Sequence, residues 1–187
     1  MSRLFLGSVL TAALVASVAV AADTATVGLK QGDSIGAFYV TKVAGAPEDG
    51  VKSGQELCYR CKYGQRPMVM VFTRKAGDKV TQLVSQLDKA VAENTDAQLK
   101  GFVTVMGSDQ SSLKESAKQI AEGSMSKMVP VAVAADSENG PANYRLDPNA
   151  EVTVVIANES QVVATHSFAA DSVDVAAIMK EVKQLLN

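Results

Sequence analysis

From Pro67 to Phe72 the chain reads Pro-Met-Val-Met-Val-Phe, a short apolar run with β-branched residues. It has no polar alternation, so it predicts a central strand covered on both faces. Val80, Leu83, Val84, Leu87 and Val91 follow at the spacing of one helical face, with Lys79, Gln82, Gln86 and Lys89 opposite and Asp78 as the expected N-cap. The unit then repeats. Gly101 to Met106 predicts a second buried strand, and a helix starting near Ser111 or Ser112 carries Leu113, Ala117, Ile120 and Ala121 and ends at Gly123. Val129 to Ala134 predicts a third strand, with Pro130 marking an edge or the start of the strand. Helices of this length between strands imply crossovers and parallel pairing.

Either side of this repeat the pattern changes. Ile35 to Val43 alternates as a strand, and a loop from Ala44 to Arg66, with five of its residues glycine or proline, is longer than a compact domain usually carries without a purpose. Ser137 to Leu146 allows at most a short helical turn. Glu151 to Ile156 and Gln161 to Phe168, joined by Ala157-Asn158-Glu159-Ser160, predict a hairpin. A final helix, capped by Asp171 or Ser172, buries Val175, Ile178, Met179, Val182, Leu185 and Leu186.

This order of elements resembles the thioredoxin-like superfamily, in particular its peroxiredoxin and redoxin branch, over about Ile35 to Leu186. Tyr144-Arg145-Leu146 looks like the aromatic turn that precedes the cis-proline strand there. The resemblance implies an α/β fold with a mixed central sheet, helices on both faces and a C-terminal β-hairpin plus helix. It also implies a reactive cysteine just after the first central strand, where a helix N-terminus stabilises a thiolate. That stretch is Thr73-Arg74-Lys75-Ala76-Gly77-Asp78 and holds no thiol. The cis-proline position is likewise unmatched, since Ala150 stands there and Pro148 comes earlier.

The chain's two cysteines are instead Cys58 and Cys61, a Cys-x-x-Cys pair in the long loop. Cys61 lies six residues before Pro67, so a direct path puts the pair near the N-terminal end of the central strand, about 20 Å from the usual active-site end. Three readings of the pair stay open. In the first it exchanges thiols and disulfides with a protein partner, Arg60, Lys62 and Arg66 favouring the thiolate, with Cys58 attacking and Cys61 resolving by analogy with other such pairs. In the second the fold is a non-catalytic binding module and the pair is a structural disulfide stiffening the loop, stabilising it modestly because the ring is short. The third is a metal or haem site, for which two cysteines and a distant His166 are too few ligands and Lys62 stands where haem attachment needs histidine. No cofactor is therefore expected.

Other candidates have ordinary explanations. His166 alternates with Val162, Ala164 and Phe168 and is expected to be a hydrogen-bonded or surface residue. Ser111 to Lys114 and Ser124 to Lys127 match Ser-x-x-Lys without the companion motifs of acyl enzymes. Met68, Met70, Met106 and Met179 fall at core positions. Tyr59 and Tyr63 flank the cysteines as a candidate contact surface.

The chain's first residues set its expected location. Arg3 precedes an uncharged run from Leu4 to Ala22 that ends in Ala19-Val20-Ala21, a secretory signal pattern. Residues 1–22 are expected to be removed, residues 23–34 to form a flexible leader and residues 35–187 the domain, exported to the periplasm or beyond with no membrane segment after cleavage. The whole chain has 18 Lys+Arg and 20 Asp+Glu, and loss of Arg3 with the signal leaves a net charge of −3. Interspersed charge and the lack of tryptophan argue against nucleic acid as a partner.

Overall fold

The computed structural model describes residues 27–134 and 138–187, so the expected signal segment lies outside the described residues. Seven strands form one mixed sheet in the order β2-β1-β5-β4-β3-β6-β7. Their ranges are β1 Val40–Ala44, β2 Glu56–Leu57, β3 Met68–Thr73, β4 Lys100–Val105, β5 Val131–Ala134, β6 Val152–Asn158 and β7 Gln161–Phe168. β3, β4 and β5 run parallel, and β6 joins β3 antiparallel, with Met68 opposite Ala157 and Thr73 opposite Val152. Pro130 immediately precedes β5, which lies between β1 and β4, so it marks the start of the strand and not a sheet edge.

Helices α1 Tyr59–Tyr63, α2 Asp78–Glu93, α3 Gln110–Ser124 and α4 Val175–Leu185 divide unequally between the two faces. Val69 and Val71 of β3 face a core built with Val80, Leu83 and Leu87 of α2, Ala117 and Ile120 of α3, and Ile178 and Val182 of α4. All three long helices thus cover one face. Crossovers β3-α2-β4 and β4-α3-β5 step in the same direction, and a constant right-handed sense keeps both helices on that side. The alternate side chains Met68, Met70 and Phe72 face a second core with Phe38, Phe102 and Tyr144. That side is covered by α1, a 3-10 turn at Ala142–Tyr144 and the N-terminal segment.

The N-terminal segment corrects one expectation. Residues 27–34 are docked and not a free leader: Leu29 is buried, Gly28 N donates to Arg145 O, Gly32 N donates to Val162 O, and Ser34 bridges to Gln161. The segment starts beside β7, crosses the second face and becomes β1 only at Val40, five residues later than the alternation suggested. Phe38 explains the misleading alternation. Its ring faces inward on Phe72 (5.6 Å) and Tyr144 (5.0 Å) although its backbone belongs to no strand.

Helix ends differ in detail. Gly77 is the N-cap of α2, with extended backbone and no side-chain bond, which leaves Asp78 in the first turn where its charge favours the helix dipole. Asp109 caps α3 by accepting from Ser111 N, and Asp174 caps α4 by accepting from Ala177 N; Asp171 and Ser172 lie in a separate 3-10 turn. α3 runs through Gly123 and stops at left-handed Met125. A Cβ at Gly123 would come within 3.0 Å of Thr81, so the glycine serves the close approach of α3 to α2. The hairpin turn shortens to Glu159-Ser160, both at positive φ, and β6 extends through Asn158.

Candidate functional site

Cys58 and Cys61 are joined as a disulfide with a Cα–Cα distance of 5.2 Å. Cys58 caps the five-residue α1, and its Sγ accepts from Cys61 N at 3.0 Å. The two sulfur-bearing residues differ in access: Cys58 is 7% exposed and therefore buried, while Cys61 is exposed. Buried tyrosines anchor the helix beneath them. Tyr59 stacks on Phe102 at 5.6 Å, and Tyr63 lies 6.1 Å from the same ring. Their hydroxyl-bearing rings therefore build the second core and do not form the exposed contact surface expected of them.

The rest of the long loop is held by one buried ion pair. Lys42 Nζ donates to Asp49 Oδ1 at 2.6 Å and to the carbonyls of Ala46 and Val51. Asp49 also accepts from Val51 N and, through Oδ2, from Tyr59 Oη at 2.8 Å. Burial, and then the hydrogen bond to Asp49, push the Tyr59 phenol far above its ordinary pKa; burial does the same at Tyr63, with Asp49 adding to it. This Lys42-Asp49-Tyr59 chain was missed in the sequence. The only signal was a lysine at an inward position of an alternating strand.

The pair lies where the direct path from Cys61 to the strand required. Glu159 N at the hairpin tip donates to Gln65 O, Lys100 N donates to Pro67 O, and Arg60 Nε donates to Ile35 O. These contacts fix α1 and its exit at the N-terminal end of β3, opposite the Ala150 turn. At that other end Arg74 donates from Nε to Ala150 O and from its backbone N to Glu151 O.

No family model and no curated protein sequence matches the chain. Solved structures do match in shape. A thiol:disulfide interchange protein DsbE from Chlorobium tepidum superposes with a TM-score of 0.62 at 14% identity, covering 85% of this chain and 99% of that one. AhpC from Mycobacterium bovis gives 0.61 at 13% identity over 86% and 94%, and the thioredoxin domain of a thiol-disulfide oxidoreductase from Bacteroides vulgatus gives 0.59 at 12% over 85% and 99%. The fold is thioredoxin-like.

Within this thioredoxin-like fold the stretch after β3, where the resemblance led us to expect a reactive cysteine, forms a structural corner. Thr73 Oγ1 donates to Lys75 O and accepts from Lys75 N, and Arg74 Nη1 donates to Glu138 O. Arg74 thus ties the end of β3 to the start of β6 by backbone contacts. The remaining sequence candidates are also accounted for. His166 Nε2 lies 2.8 Å from Glu181 Oε2, Ser124 Oγ bonds back to Ile120 O, and Met68, Met70 and Met106 are buried. Among the described residues no group of three or more His, Cys, Asp or Glu side chains converges as a metal site would.

Proposed function

We propose that this protein is an exported thiol-disulfide exchange protein working through Cys58 and Cys61. The observation that carries the reading is the asymmetry of the disulfide, one sulfur-bearing residue exposed and the other buried and hydrogen-bonded. A partner thiolate reaches Cys61 Sγ; as the new S–S bond forms, the Cys58–Cys61 bond breaks and Cys58 leaves as a thiolate that accepts from Cys61 N. A second partner thiol attacks the partner's sulfur in that mixed disulfide, its proton passing to solvent, and Cys61 leaves. The protein ends as a dithiol and the partner as a disulfide. Leaving is faster for a stabilised thiolate, which suits Cys58. This assigns the contact with partner to Cys61 and the resolving role to Cys58, the reverse of the assignment by analogy.

Shape similarity to DsbE and to a thiol-disulfide oxidoreductase domain supports the chemistry, at a position displaced from the inherited one. Export is supported by the run from Leu4 to Ala22 and its Ala19-Val20-Ala21 ending. No helix among the described residues is long and apolar enough to cross a membrane.

The competing reading, a structural disulfide in a non-catalytic binding module, is favoured by one observation: α1 inserts Tyr59 and Tyr63 into the core, so the disulfide also secures core residues. Titration of the pair against glutathione or dithiothreitol buffers separates the two. Exchange-active pairs fall near −120 to −270 mV and structural ones below about −300 mV. A value in the upper range is expected. A value below it, with Cys58→Ser losing stability and no reductase activity, would establish the staple.

A further inference from the structure

A cavity of about 420 Å³ opens beside the disulfide helix and is lined by four cations, Lys62, Arg66, Lys100 and Lys127. They come from four places in the chain: α1, the turn after it, the first residue of β4 and the loop before β5. None of the four forms an ion pair among the described residues, where the five ion pairs involve other groups. Glu48 and Asp49 also line the cavity, but Asp49 is already neutralised by Lys42 at 2.6 Å, so positive charge prevails.

The walls are held before any ligand arrives. Asp88 Oδ1 accepts from the backbone N–H groups of Lys127, Met128 and Val129, which fixes the loop bearing Lys127. Arg66 donates from Nη1 to Tyr63 O and from Nε to Gln98 Oε1. Four cations that make no ion pair repel one another across this frame, and an anion placed between them relieves that repulsion. The volume falls at the small end of the range for small-molecule sites, roughly 300–1,000 Å³.

We infer that this cavity selects the exchange partner: it receives a small thiol or disulfide bearing carboxylates in excess of amines. The inference rests on the exchange reading above and adds its substrate class. Lys62 lines the cavity and directly follows exposed Cys61 in α1, which puts the cation set one residue along the chain from the exchange pair. Reduction of such a disulfide balances simply. The Cys61 thiolate attacks one ligand sulfur, the ligand S–S bond breaks and the first ligand thiolate leaves and takes a proton. Cys58 then attacks Cys61 Sγ in the mixed disulfide, and the second ligand thiolate leaves. The protein is oxidised to the disulfide and the ligand reduced to two thiols.

Binding and chemistry are tested separately. S-methylglutathione, which cannot exchange, is titrated calorimetrically into the oxidised protein, and reduced protein is reacted with oxidised glutathione and with uncharged hydroxyethyl disulfide. S-methylglutathione binds the unaltered protein, and Lys100→Glu/Lys127→Glu weakens it by about tenfold or more, as does added salt. The same double variant slows reaction with oxidised glutathione by a similar factor and leaves hydroxyethyl disulfide unchanged. Lys127→Glu alone, on an exposed side chain, gives a smaller effect in the same direction and guards against misfolding of the double variant. Absence of S-methylglutathione binding, or equal rates for both disulfides in both proteins, overturns the cavity assignment whatever the potential of the pair. Binding without reaction of either disulfide overturns the exchange reading and leaves the cavity's preference for acidic ligands supported.

Discussion

Tyr59 Oη donates to Asp49 Oδ2 across 2.8 Å, which ties the residue next to a disulfide cysteine to the carboxylate that neutralises buried Lys42. The redox candidate and the long loop are therefore one mechanical unit. Removing any member strands the others in a site with little access to water.

Lys42→Met leaves Asp49 with Val51 N and Tyr59 Oη but no cation. Breaking a buried pair in this way costs about 3–5 kcal/mol, and the retained hydrogen bonds place this case at the lower end. Tyr59→Phe removes one charge-assisted bond and costs about 1.5–3 kcal/mol. Urea unfolding monitored by circular dichroism gives both numbers, and a Lys42→Met loss no greater than that of an exposed lysine would contradict the network.

Much of the architecture was legible because apolar runs and helical spacing report burial directly. β3, β4, α2 and the hairpin follow from residues such as Val69, Leu83 and Val154, whose burial is what their pattern encodes. Helix ends were less legible, since Gly123 is set by its contact with Thr81 and the cap of α4 by Asp174, choices made between elements. The position of the disulfide was readable from Cys61 lying six residues before Pro67. The cavity was not, because Lys62, Arg66, Lys100 and Lys127 share no local pattern and meet only when β4 and the Asp88-bound loop are in place.

Tyr59, Tyr63 and Tyr144 are buried, and burial raises the pKa of each phenol above the ordinary value near 10. A raised folded pKa means that the contribution of these groups is fully present below about pH 10 and is lost as pH climbs toward the folded values, because the unfolded chain releases its protons first. Stability is expected to fall steadily above about pH 10. Phenolate absorbance should then rise together with the loss of secondary structure, and Tyr63→Phe should soften the decline.

Gly45 follows β1 at φ +73°, and a Cβ there would lie 2.5 Å from Val129 O. Backbone cannot yield as a flexible side chain does. Gly45→Ala is expected to cost about 1–3 kcal/mol by combining left-handed strain with that clash. Gly50→Ala serves as the control, since its φ is also positive but no atom lies within 4 Å of the added carbon. Thermal unfolding of the two variants should therefore differ, with Gly45→Ala the less stable.

Reduction of the disulfide tests how far the fold depends on it. The ring closed by Cys58 and Cys61 spans four residues, for which the chain-entropy relation gives about 2 kcal/mol. That is well below the stability of an ordinary domain, roughly 5–15 kcal/mol, so the reduced protein should stay folded. Tyr59 and Tyr63 act in the same direction, since their burial against Phe102 holds α1 in place without the S–S bond. Dithiothreitol should lower the unfolding midpoint modestly and leave the circular dichroism spectrum unchanged. This outcome is what an exchange cycle requires, because the dithiol state must stay folded to reduce the next disulfide and so return to the Cys58–Cys61 disulfide. Collapse of the native spectrum on reduction would show instead that the pair is needed to hold α1 on the sheet, and would turn the balance toward the staple.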